Sequence, residues 1–124
     1  MDEKEIEKIK EDCEFLFDKV LGILLYGSSV KNERTERSDI DLCVIAPHMN
    51  SHTIFKETLP LNYDVRIFEI MPLYLKMELI EHHEVIYARD IFDLYEYFYS
   101  FRKLWEDQRH RQRLSKEEAL YILS

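Results

Sequence analysis

Two short segments of the sequence carry side chains that could do chemistry. Gly27 and Ser28 follow the apolar run 22–26, and Asp39 and Asp41 open the next apolar run, with ten residues between Ser28 and Asp39. Side chains two apart on a strand point to the same face, so Asp39 and Asp41 are predicted to project together. At about 7 Å and an effective dielectric near 20, their repulsion is roughly 2–3 kcal/mol. This charge placement therefore needs a compensating cation.

The residue types in these two segments predict a nucleotide site. Mg²⁺ prefers hard oxygen ligands and is often bound by one or two carboxylates together with substrate phosphates. Gly27 permits close backbone approach, and the amides of the turn formed with Ser28 and Ser29 can point at an anion. A phosphate-binding turn beside a carboxylate-bound metal is what a nucleoside triphosphate requires.

Basic residues follow the turn within the same polar segment. Lys31 lies one helical turn from the glycine corner, which favours contact with phosphate. Arg34 and Arg37 are compatible with either a phosphate contact or a solvated surface turn.

A further carboxylate opens the predicted strand at 62–68. Alternation places Asp64 and Arg66 on one face of that strand and Val65 and Ile67 on the other. Asp64 is either a third carboxylate beside Asp39 and Asp41 or a cap at the strand start. The two earlier carboxylates favour the first interpretation.

Length and composition restrict the class of protein. The chain has 124 residues, which predicts one domain over 1–124, with 46% hydrophobic and 34% charged residues. The net charge of −8 argues against stable nucleic-acid binding, and no apolar run is long enough to span a membrane. Cys13 and Cys43 sit in apolar patterns and are predicted to be reduced core residues, which favours the cytoplasm. None of the five histidines has the spacing or neighbouring ligands of a zinc site.

Hydrophobic periodicity predicts an alternation of helices and strands. Helices are expected at 3–20, around 54–55, at 71–81 and from 91 to about 113, with a last helix starting at the capping box of Ser115. Strands are expected at 23–26, 40–46 and 62–68, with a short edge strand at 85–87. Gly22 is predicted to cap the first helix, and Asp90 to cap the helix that begins at 91. The large apolar residues of 91–105 cover more than one face, so the excess is either buried or an interaction surface.

The Gly-Ser turn, the spacing of ten residues and the Asp-x-Asp pair together resemble the signature of the nucleotidyltransferase superfamily typified by DNA polymerase beta. The chain is most similar to the minimal nucleotidyltransferases, which are short and carry a third aspartate on a later strand. The matching residues are Gly27, Ser28, Asp39, Asp41 and Asp64, within a motif core of 22–70. The C-terminal part, 71–124, matches only in its helical character, and Asn32 stands where the family commonly has glycine.

This resemblance implies a fold and a chemistry. The fold would be α/β, a small mixed β-sheet with helices packed mainly on one face and a helical C-terminus. The chemistry would be transfer of a nucleoside monophosphate from ATP with two Mg²⁺ ions. Asp39, Asp41 and Asp64 would be the metal ligands and catalytic carboxylates, with Asp64 helping to deprotonate the acceptor hydroxyl. Gly27 and Ser28 would bind the β and γ phosphates.

The resemblance also implies a partner. Minimal nucleotidyltransferases resemble antitoxins that adenylylate a tyrosine of an all-helical HEPN-type ribonuclease toxin. The region 91–124 is the candidate toxin-contacting surface. Two alternatives stay open: nucleotidyl transfer to a small molecule, and a non-catalytic module that neutralises its partner by occlusion.

Overall fold

The computed structural model describes the backbone of residues 2–27 and 40–123 and the side chains up to residue 111. Four strands and four α-helices form in this part of the chain. The strands are β1 (Gly22–Leu25), β2 (Asp41–Ile45), β3 (Asp64–Ile67) and β4 (Glu84–Ala88). The helices are α1 (Glu3–Cys13), α2 (Ser51–Thr58), α3 (Leu73–Glu81) and α4 (Ile91–Leu123).

The strands form one mixed sheet in the order β3-β2-β1-β4. β1 is antiparallel to both β2 and β4, whereas β2 and β3 run parallel. The parallel pair is connected through α2, as a parallel connection requires a crossover. The expected mixed sheet is confirmed, with β4 at its edge as predicted.

Helices cover both faces of this sheet, so the expectation that they pack mainly on one face is wrong. On one face Ile23 and Val44 pack with residues of α1 and α2, including Ile9 and Ile54. On the other face Leu24, Cys43 and Ile45 pack with residues of α3 and α4, which include Met77, Leu79, Leu94 and Phe98. The physical reason is that the central strands are apolar at successive positions, so both faces need cover.

Several element boundaries also differ from the expectations. The first α-helix ends at Cys13 and continues as a 3-10 helix at Glu14–Leu16 instead of running to 20. Gly22 begins β1 and caps no helix; an added Cβ there would lie 3.2 Å from the Tyr87 carbonyl oxygen. No helix starts at Ser115, because α4 runs unbroken to Leu123. That helix contains neither Gly nor Pro, so nothing in its sequence interrupts it.

The predicted cap of α4 is confirmed. Asp90 Oδ1 accepts hydrogen bonds from the backbone amides of Phe92 at 2.8 Å and Asp93 at 3.2 Å. These bonds satisfy two of the donors that a helix N-terminus leaves unpaired. Asp2 and Asn50 cap α1 and α2 in the same way.

Across the ranges that the structure describes, no helix combines the length and the apolar character that crossing a lipid bilayer demands. Both cysteines are reduced and buried, as predicted. Burial raises the pKa of the Cys13 thiol to about 11, with a smaller contribution from the Asp12 carboxylate.

Candidate active site

The site begins with the register of the two parallel strands. Asp41 and Asp64 are register partners at the first positions of β2 and β3. Neighbouring strands lie about 4.8 Å apart, and register partners project to the same face of a sheet. The two carboxylates therefore stand side by side on the face that α3 and α4 cover. The Asp64 amide donates to the Ile40 carbonyl oxygen at 2.9 Å, which fixes the start of β3 against β2.

The glycine corner lies against the first of these carboxylates. Gly27 has a φ of 70°, a conformation that residues with a side chain rarely adopt. A Cβ built on Gly27 would lie 2.7 Å from Asp41 Oδ2, closer than two such atoms can approach. The absent side chain of Gly27 is thus what makes room for the Asp41 carboxylate.

Four predicted site residues, Ser28, Ser29, Lys31 and Asp39, lie outside the described residues. Among the predicted site residues that are described, the structure brings Gly27, Asp41 and Asp64 together. Their roles in binding and catalysis stay predictions.

Among the described residues, the carboxylates at the site are suitable ligands for a hard cation such as Mg²⁺. Within residues 2–27 and 40–111, no group of three or more His, Cys, Asp or Glu side chains could hold a metal ion. Asp41 and Asp64 supply two carboxylates, and the third predicted ligand, Asp39, falls in the undescribed range. Two carboxylates completed by substrate phosphates match the usual protein contribution to Mg²⁺ binding.

Tyr26 follows the last residue of β1 and lies next to Asp41. Its amide donates to the Asp41 carbonyl oxygen at 3.2 Å. The Tyr26 hydroxyl oxygen is buried and has no hydrogen-bond partner among residues 2–27 and 40–111. Burial raises the pKa of Tyr26 well above its usual value, the Arg66 guanidinium opposes this, and the two carboxylates add to it. Tyr26 therefore stays a neutral phenol beside the carboxylates.

Sequence reasoning assigned no role to Tyr26 and placed Arg66 only on the face of Asp64. Both line a cleft between the end of the sheet and α3, with a cavity volume of about 130 Å³ and an opening to solvent. Gly27 borders the cleft on the sheet side, and Leu75 and Leu79 border it on the helix side. Strand alternation could have indicated Arg66, whereas the cleft depends on where α3 lies, which no local pattern encodes.

The aromatic helix α4 divides its apolar residues between two faces. Leu94 and Phe98 are buried against the sheet. Phe92, Tyr95 and Tyr99 are exposed by 82%, 49% and 65% of their surface. Their spacing of three and four residues places them on one stripe, called here the aromatic stripe. Part of the apolar excess of this helix is thus buried and part is exposed, and contact of the exposed part with a partner stays a prediction.

Comparison with known proteins places the chain among nucleotide-transferring enzymes. A family model described as "Nucleotidyltransferase domain" matches residues 6–118. A relative from Methanocaldococcus jannaschii, named "Putative protein adenylyltransferase MJ1547", is 50% identical over 95 residues, which are 77% of each chain.

Two solved structures with the same fold come from toxin–antitoxin systems. A toxin–antitoxin structure with AMP-PNP gives a TM-score of 0.65 at 17% identity, covering 93% of this chain and 98% of the other. A complex of a tri-AMPylated Shewanella oneidensis HEPN toxin with an MNT antitoxin gives 0.65 at 15% identity, covering 97% and 99%. At these identities the structures establish the fold alone. The family model and the M. jannaschii relative lead to one conclusion: this chain belongs to the nucleotidyltransferase domain family.

Proposed function

We propose that the protein is an Mg²⁺-dependent adenylyltransferase that uses ATP to transfer AMP to a tyrosine of a HEPN-type toxin, and that it acts as the antitoxin of that toxin. The observation that carries this proposal is the pairing of Asp41 with Asp64 across β2 and β3, with Gly27 against Asp41. Two like charges beside a glycine corner suit a cation and a polyphosphate better than they suit an unliganded surface.

In this proposal, each residue has a definite task. Gly27, Ser28, Ser29 and Lys31 hold the β and γ phosphates, so that the α-phosphorus lies beside the carboxylates. Asp39, Asp41 and Asp64 would hold Mg²⁺, which when bound neutralises the charge that develops on the phosphates. The chain contributes mainly positioning, which accounts for a large part of the rate in such reactions.

The proposed reaction balances without a further reactant. The tyrosine Oη of the acceptor forms a bond to the α-phosphorus of ATP. The bond between that phosphorus and the α,β-bridging oxygen breaks, and pyrophosphate leaves. Asp64 accepts the phenol proton, because its carboxylate is exposed at the start of β3.

Two findings support a protein acceptor over a small molecule. The M. jannaschii relative, which is similar over 77% of this chain, carries a protein adenylyltransferase name. The aromatic stripe of α4 also offers exposed apolar surface of the kind that marks a partner site. We assign the stripe to the toxin contact within the candidate region 91–124.

The test is incubation with ATP, Mg²⁺ and the candidate toxin, followed by intact mass measurement of the toxin. We expect addition of AMP with the wild-type chain and none with Asp39→Asn or Asp41→Asn. Asp18→Asn is the matched control, because Asp18 is exposed and lies outside the site. If both site variants still inhibit the toxin and its mass does not change, the protein inhibits by occlusion, and the proposed catalysis is wrong.

The assignment of the aromatic stripe has its own test. Phe92→Ser and Tyr99→Ser should weaken toxin binding while leaving ATP binding unchanged, because neither residue lines the cleft that Gly27 borders. Tyr74→Ser is the control, since Tyr74 is 61% exposed on α3 and outside the stripe. Equal losses in all three variants would remove the stripe as the toxin contact.

A further inference from the structure

Asp64 lies at the first position of a strand that has little support. β3 is four residues long, and in the described part of the chain it pairs with β2 alone. The segment 59–63 before it contains only turns and bends. The ends of short edge strands open more readily than the middle of a sheet, because fewer contacts hold them. Asp64 therefore needs support beyond its amide hydrogen bond to Ile40 if its carboxylate is to keep one position.

Tyr63, the residue before Asp64, supplies such support from the other face of the sheet. Its hydroxyl donates to Asp12 Oδ2 on α1 at 2.5 Å, the length of a hydrogen bond to a charged carboxylate. The two residues are 51 positions apart, so this bond joins the first helix directly to the start of β3. The Tyr63 ring is half-buried against the apolar cluster that α1 forms with the sheet. Ring and hydroxyl together hold the backbone at residue 63.

Asp12 is a fixed point for this contact, although its own side chain is exposed. It lies on α1 beside Cys13 and three residues after Ile9, and both of these residues are 1% exposed within the same apolar cluster. The backbone of α1 at Asp12 is therefore held by the core. The hydrogen bond from Tyr63 extends that restraint to the start of β3.

We propose that Tyr63, held by Asp12, is a positioning residue for Asp64. Adjacent side chains on a strand point to opposite faces, so Tyr63 fixes the backbone from the face that packs on α1, whereas the Asp64 carboxylate stands on the face of Asp41. This inference rests on the proposed function, in which Asp64 takes the acceptor proton and is a ligand of Mg²⁺. It adds to that function the contact that keeps Asp64 beside Asp41.

Tyr87 provides a comparison within the same apolar cluster. Its hydroxyl donates to the Phe17 carbonyl oxygen at 2.9 Å, and its ring also packs on the cluster beside α1. Tyr87 lies on β4, at the opposite edge of the sheet from β3. Removing either tyrosine hydroxyl breaks a hydrogen bond between the sheet and the N-terminal segment, but only the Tyr63 bond adjoins Asp64. Tyr87→Phe is therefore the matched control for Tyr63→Phe.

The experiment compares the wild-type chain with Tyr63→Phe, Asp12→Ala, the double variant of these two, Asp12→Asn and Tyr87→Phe. The first assay measures amide hydrogen exchange by NMR, without ATP, Mg²⁺ or toxin, and compares the Asp64 amide with the amides in the middle of β2. The second assay measures kcat and KM for ATP in AMP transfer to the candidate toxin. Its temperature is one at which urea unfolding shows every variant to be folded.

We expect the Asp64 amide to exchange about tenfold faster in Tyr63→Phe and Asp12→Ala, relative to the amides of β2. In both variants kcat should fall by about tenfold while KM for ATP stays within about twofold, because the misplaced carboxylate acts on the transition state. Asp12→Asn keeps an oxygen acceptor for the phenol and should retain most of the activity. The double variant should lose no more than Tyr63→Phe alone, since both changes remove the same contact. Tyr87→Phe should leave both readouts at the wild-type value.

The outcomes separate this inference from the proposed function. Wild-type kcat in Tyr63→Phe, or an equal fall of kcat in Tyr63→Phe and Tyr87→Phe, overturns the positioning role and leaves the transferase intact. An unchanged exchange rate of the Asp64 amide in Tyr63→Phe also overturns it, because other contacts then hold the start of β3. A wild-type chain that transfers no AMP overturns the proposed function and this inference with it.

Discussion

The two faces of the sheet use neighbouring residues of the same strands for opposite purposes. Leu42 and Val65, register partners, contribute to an apolar cluster with α1 and α2. Asp41 and Asp64, the register partners immediately before them, stand on the other face beside Gly27. The first face is closed, whereas the second opens into a cleft at this end of the sheet.

This difference shows how a short strand can be both core and site. The face that packs on α1 and α2, called here the anchoring face, supplies the burial that holds β2 and β3 in register. That register brings the carboxylates of Asp41 and Asp64 together. Stability and chemistry are therefore separable by choosing adjacent positions. The predictions below test that separation.

The largest effect is expected on the anchoring face. Leu42→Ala removes a side chain with 0% exposure, and such truncations cost about 2–5 kcal/mol of unfolding free energy. Urea unfolding measures the loss. Phe92→Ala is the control, because Phe92 is 82% exposed and its truncation should change stability by less than about 0.5 kcal/mol. A similar small loss for Leu42→Ala would contradict the division between the two faces.

The second-largest effect is expected on the face that carries Asp41 and Asp64. Asp64→Asn should lower the rate of AMP transfer on the order of a hundredfold, the usual scale for losing one charge-stabilising group in an active site. Stability should be unchanged or higher, because the substitution removes a like charge beside Asp41. Transfer rates by mass spectrometry and urea unfolding measure the two quantities on the same sample. A loss of stability comparable with that of Leu42→Ala would mean that Asp64 is structural.

Gly27 lies at the site and has a special backbone conformation, so its substitution should affect both stability and AMP transfer. Gly27→Ala places a Cβ 2.7 Å from Asp41 Oδ2 and a side chain at a φ of 70°, which costs about 1–2 kcal/mol in the left-handed region. Gly27→Asn keeps the Cβ but tolerates the backbone conformation better. We expect a smaller stability loss for Asn than for Ala and a similar loss of transfer in both. Full activity in the Asn variant would show that backbone strain, and not room for Asp41, is the reason for glycine.

Local sequence patterns predicted which helices and strands form better than they predicted where those elements begin and end. The periodicity through Leu16 and Val20 indicated a helix to 20, and both residues are buried although the α-helix ends at Cys13. Burial alone produces that periodicity, with or without helical hydrogen bonds. The capping-box spacing at Ser115 likewise predicted a new helix, yet capping residues without a breaker leave α4 continuous.

Strand alternation predicted part of the candidate site. Alternation placed Asp64 and Arg66 on one face, but the pairing of Asp64 with Asp41 depends on register, which the sequence of either strand alone does not fix. The cleft depends on the packing of α3 against the sheet, which brings Leu75 and Glu78 opposite Tyr26 and Arg66. Those contacts join residues far apart in the sequence, so no local motif predicts them.

The smallest expected effect compares a hydroxyl that is hydrogen-bonded within the fold with a buried one that lacks a partner among the described residues. Tyr97 donates to Glu69 Oε2 at 2.9 Å and ties α4 to the end of β2, where Glu69 Oε1 also accepts from the Ala46 amide. Tyr97→Phe should therefore lower the unfolding free energy by about 1 kcal/mol. Tyr26→Phe removes a buried hydroxyl that has no partner in the described part of the chain, so stability should stay equal or rise by less than about 1 kcal/mol. Urea unfolding of the two variants gives the comparison, and a destabilisation by Tyr26→Phe equal to that of Tyr97→Phe would mean that the Tyr26 hydroxyl also stabilises the fold.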